Sequence, residues 1–91
     1  MRPIILAGFG FEEERGSPLV TVVLLNAIPD PAWITMFRER GRYSLFDIAA
    51  ATFRRNQVRI RLPRREDLGE LIQSVERCIE GANIDTEFHA P

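Results

Sequence analysis

The chain contains no lysine, a single cysteine and a single histidine. No apolar run approaches the ~20 residues that a helix needs to cross a bilayer. Each shortage excludes something. Cys78 cannot form an internal disulfide, and together with His89 it falls short of the about four Cys/His ligands of a structural zinc site. The residues therefore imply no metal and no cofactor. A chain without lysine cannot carry a Walker-type phosphate loop, and Gly8-Phe9-Gly10 is too short for a dinucleotide fingerprint. Nucleophilic catalysis needs a base held close to the nucleophile. His89, two residues from the end, is the only side chain with a near-neutral pKa and has no evident partner. The pairs Glu66/Glu70 and Glu76/Glu80 are each one helical turn apart, which reads as a solvated helix face rather than an acid/base site. No small-molecule chemistry is implied, and the expectation is that the protein is not an enzyme.

What is present fits one domain, residues 1–91, with 45% hydrophobic and 27% charged residues. Near the start, Ile4-Ile5-Leu6-Ala7 resembles a weak signal sequence, but Gly8, Gly10 and the acidic run Glu12-Glu13-Glu14 interrupt it. Cytoplasmic residence, with no membrane association, is the default expectation.

The pattern of the chain predicts hairpin, helix, hairpin, helix. Residues 3–12 and 18–27 are apolar runs separated by Glu13-Glu14-Arg15-Gly16-Ser17, a hairpin signal, with Gly8 and Gly10 marking a bulge or a close backbone approach. Asp30 followed by Pro31 starts a helix over 31–40 that Gly41 is expected to close in a left-handed conformation. Trp33, Met36 and Phe37 fall on one face of that helix and read as core. Residues 44–53 are ambiguous. Ser44 with Asp47 could form a cap, but residues 49–54 can also supply the partner strand for 57–62, which alternates strictly, through a turn at Arg55-Asn56. Leu68, Leu71, Ile72, Val75, Cys78 and Ile79 trace an apolar stripe along a second helix over 63–80, expected to end at Gly81. Residues 82–91 would then add a short edge strand. The fold class is α+β: an antiparallel sheet with two helices on one face, order β-β-α-β-β-α, ferredoxin-like or permuted ferredoxin-like.

Two features call for a functional explanation. Charge is segregated: residues 38–65 carry nine arginines against Glu39 and Asp47, a net of +7, whereas residues 66–91 carry seven acids against Arg77, a net of −6. Within the basic block Arg54, Arg55, Arg59, Arg61, Arg64 and Arg65 are the candidate binding residues, with Arg59 and Arg61 on one face of their strand. Arg64 and Arg65 are expected in the first helical turn, where the dipole disfavours cations, unless Glu66 and Asp67 compensate. The other feature is that residues 20–25 are apolar throughout except Thr21, and 4–7 entirely so, so two strands are expected to need cover on both faces. These observations point to a non-catalytic protein–protein interaction module, homodimeric or a small subunit of a complex, meeting its partner through the apolar sheet face. The alternative is a nucleic-acid-binding domain built on the arginine hairpin, disfavoured by the absence of stacking aromatics there and by the acidic last helix.

Overall fold

The computed structural model describes residues 3–13 and 19–89, with the side chains of Phe88 and His89 left out. The turn expected over 13–17 therefore lies largely outside the described residues. Four strands, β1 (Leu6–Glu12), β2 (Val20–Leu25), β3 (Thr52–Arg54) and β4 (Gln57–Arg61), form one antiparallel sheet in the order β1-β2-β4-β3. Two helices, α1 (Pro31–Gly41) and α2 (Leu68–His89), and two short 3-10 turns, Ile48–Ala50 and Arg65–Asp67, complete it. No helix is long and apolar enough to cross a membrane among the described residues.

The alternation of β4 decides which face is covered. Val58, Ile60 and Leu62 are buried with Val23 and Leu25 of β2 against Trp33 and Phe37 of α1 and Leu71, Val75 and Ile79 of α2. Helix α1 begins as its sequence dictates, with the Asp30 carboxylate accepting from the Trp33 amide and Pro31 in the first turn. Trp33 and Phe37 stack with centroids 5.4 Å apart, and Phe53 of β3 meets Phe37 edge-on at the same separation. Met36 is only partly buried beside them.

Several expectations are corrected. Gly41 is the buried last residue of α1 and the cap, Arg42, is right-handed. Glycine is required there because a Cβ would lie 2.8 Å from Ile48 Cγ2 and 2.9 Å from the Ala49 amide nitrogen. Residues 44–53 divide into a Ser44 turn, whose hydroxyl accepts from the Phe46 amide, a 3-10 turn and the three-residue strand β3. At the hairpin tip the left-handed residue is Arg55, with φ 56°, while Asn56 extends the ladder by bonding to Leu25 through both backbone and side chain. Helix α2 does not stop at Gly81. It continues to His89, so residues 82–89 are helical rather than an edge strand. Gly81 is buried where α1 crosses, and a Cβ there would lie 2.7 Å from Arg40 Nε.

Candidate functional site on the sheet surface

The register of β1 against β2 fixes what each sheet face displays. Gly8, Gly10 and Glu12 lie opposite Leu24, Val22 and Val20, whereas Phe9 and Phe11 lie opposite Val23 and Thr21. Directly opposed residues of an antiparallel pair point to the same side. The outer face of β1 is therefore a lane of glycines ending in Glu12, and its two phenylalanines face the helical side. A bulge between Leu6 and Gly8 is what sets this phase. The expected second apolar lane on the outer face is thus absent. Ile4 instead packs against the core, held by Asn83 of α2, whose side chain accepts from the Ile4 amide and donates to the Ile4 carbonyl.

One apolar lane does remain on the outer face, formed by Val20, Val22 and Leu24. On the far side of it β4 presents Gln57, Arg59 and Arg61, and β3 presents Thr52 and Arg54. Arg59 reaches over the lane to Glu12, with Nη2 2.7 Å from Oε2, and this charge-assisted hydrogen bond holds the Glu12 carboxyl below the usual carboxylate range. Arg54 and Arg61 form no ion pair among the described residues. The two flank an open hollow of about 830 Å³ with Arg59 and Thr52.

The six candidate arginines do not form one patch. Arg54, Arg59 and Arg61 share the outer face, and Arg55 occupies the hairpin tip. Arg64 and Arg65 are on the helical side and precede α2 rather than occupying its first turn. The guanidinium of Arg64 lies 3.4 Å from Asp67 and 3.9 Å from Glu66, the local compensation that the sequence allows. That of Arg65 sits over the Phe11 ring, 5.6 Å from its centroid, and pairs with Glu13. Sequence alone missed this separation because the chain turns at Leu62-Pro63. It also missed Phe9 and Phe11 as surface residues, 52% and 42% exposed.

Cys78 is buried on α2, and burial pushes its thiol pKa up, which suppresses the reactive thiolate. Asp85 takes both a 2.9 Å and a 2.8 Å hydrogen bond from Arg40, joining α2 to α1. The exposed acids Glu70, Glu76 and Glu80 lie along α2, and Glu66 lies in the 3-10 turn before it. Comparison with family models, curated proteins and solved structures finds no match.

Proposed function

We propose that this chain is a non-catalytic protein-interaction module whose outer sheet face receives an acidic, partly apolar segment of another protein. The observation that carries the reading is the side-by-side lanes of Val20, Val22 and Leu24 and of Arg54, Arg59 and Arg61. The glycine lane of β1 keeps the far flank of the apolar lane open: a Cβ at Gly10 would meet nothing within 4 Å. An extended or helical segment could lay apolar side chains along β2 and carboxylates over Arg54 and Arg61, which form no ion pair among the described residues. Such pairing supplies selectivity and association rate more than raw affinity. We read the architecture as permuted ferredoxin-like: from β2 onward the chain runs β-α-β-β-α, with β1 beside β2 supplying the remaining strand.

Nucleic acid is the second reading, supported by the same arginines. Against it, the described outer face carries no aromatic on which bases could stack, and Glu12 already occupies Arg59. The two readings separate in one titration series with the wild type and an Arg54→Ala/Arg61→Ala variant. The probes are a peptide alternating Glu with Leu and random 20-nucleotide DNA and RNA. The peptide is expected to bind at physiological salt and to lose at least tenfold in affinity in the variant. Oligonucleotide binding whose log–log salt slope flattens by about 1.4–1.8 in the variant, as two lost phosphate contacts require, would replace the first reading by the second.

A further inference from the structure

The two edges of the sheet are built differently. Strand β3 has three residues, ends in Arg54 and is followed by Arg55, which is how natural sheets discourage edge-to-edge pairing. Strand β1 has seven residues, and from Leu6 to Phe11 it carries no charge and no proline. Among the described residues it pairs with β2 alone, so its other edge presents amides and carbonyls that no described strand pairs. Beside that edge, on the helical side, Phe9 and Phe11 keep about half their surface in water. An unprotected strand with two half-exposed aromatics is a template for pairing.

We propose that β1 pairs antiparallel with β1 of a second copy of this chain, making a continuous eight-stranded sheet with a two-fold axis at Gly10. An antiparallel edge is complementary to itself, which is the requirement of a two-fold interface. With the axis at Gly10, each Phe9 lies opposite the Phe11 of the other copy on the helical side. Four rings then form one cluster in the preferred cross-strand arrangement. On the outer face Glu12 falls opposite Gly8, so like charges do not meet and the Glu12–Arg59 pair survives. At about 200 Å² per ring, the exposed parts of Phe9 and Phe11 supply roughly 200 Å² of apolar surface per copy. With the axis at Gly10, residues 8–12 of each copy face one another, and their backbones bring the total towards the roughly 1,000 Å² that a specific interface needs. The dimer is therefore modest, with dissociation in the micromolar range.

This inference does not depend on the outer-face reading. Sedimentation of the whole chain from about 1 to 500 µM should give a mass rising from 10.4 kDa towards twice that value. A Phe9→Lys/Phe11→Lys variant with unchanged circular dichroism should stay monomeric, and Arg54→Ala/Arg61→Ala should dimerise like the wild type. A Gly10→Cys variant tests the register, because residues paired across the axis have Cα atoms about 5 Å apart, within disulfide range. It should form a reducible intermolecular cross-link, whereas the buried Cys78 of the wild type should not. A wild type that stays at 10.4 kDa throughout, or a dimer that survives the double lysine substitution, overturns the proposal. A dimer in which Gly10→Cys fails to cross-link overturns the assignment of the axis.

Discussion

Asn83 shows how much one polar side chain can hold in a small core. Its amide oxygen accepts from the indole Nε1 of Trp33 at 2.8 Å and from the Ile4 amide at 3.1 Å, while its nitrogen donates to the Ile4 carbonyl at 2.9 Å. The residue ties α1, α2 and the segment before β1 to one point. Trp33 is only 2% exposed, so its indole N–H has no recourse to bulk water if Asn83 is removed. Leaving a buried donor unpaired costs about 1–3 kcal/mol beyond the hydrogen bond itself. Asn83→Ala should therefore destabilise the fold by about 2–4 kcal/mol in urea unfolding. A Trp33→Phe background removes the stranded donor, so Asn83→Ala should cost about 1 kcal/mol less there. Equal losses in the two backgrounds would show that Asn83 acts through Ile4 alone.

At the scale of elements, the β3–β4 hairpin carries a local conflict. Arg55 sits at φ 56°, a region that costs a residue with a Cβ roughly 1–2 kcal/mol. Glycine adopts it without that penalty but gives up more entropy on folding. Arg55→Gly should therefore leave a net gain of about 0.5–1 kcal/mol, read as a shift of the denaturation midpoint at constant slope. A loss of stability would mean that the Arg55 side chain contributes contacts that outweigh the strain. Elements with a local cause were legible from the sequence. The Asp30-Pro31 start of α1, the alternation of β4 and the stripe of α2 all depend on neighbours within a few residues. The errors arose where the cause is distant. Gly81 resembles a helix end, yet it is glycine because Arg40 of α1 crosses there. Gly8 and Gly10 did mark a bulge, between Leu6 and Gly8, but that the glycines then face outward and the phenylalanines the helical side is visible only in the β1–β2 register. Period-two reading identifies two faces but cannot say which one a helix will cover. For the same reason the shared face of Arg59 and Arg61 was foreseeable, while the separation of Arg64 and Arg65 from it was not.

For the whole molecule, the charge segregation of the sequence is largely resolved by folding. Arg40 of α1 pairs with Asp85 and its cap Arg42 with Glu39, while Arg65 and Arg59 pair with Glu13 and Glu12. Among the described residues Arg38, Arg54, Arg55, Arg61 and Arg77 form no ion pair, and Arg54, Arg55 and Arg61 of these lie on the β3–β4 side of the sheet. Strand β1 lies at the opposite side of the sheet. Its attachments are the β2 ladder, the Glu12–Arg59 pair and the Arg65–Phe11 contact, and only a few contacts join it to α2. Two of its seven residues are glycines, which lose the most freedom on ordering. It should be among the first elements to open, and amide exchange in β1 should report that opening. If a second copy docks on the free edge, the same amides must gain protection with protein concentration, because anything that binds only the folded edge stabilises it by mass action. A partner concentration 100-fold above the dissociation constant adds about 2.7 kcal/mol. Exchange in β1 should therefore slow by up to about 100-fold between low-micromolar and near-millimolar protein. In the Phe9→Lys/Phe11→Lys variant β1 exchange should be fast and independent of concentration. In both proteins β4, which lies inside the sheet, should show the slower exchange expected of a central strand. Concentration-independent exchange in wild-type β1 would leave the edge unpaired in solution, and slowing spread evenly over the helices would locate the self-contact elsewhere.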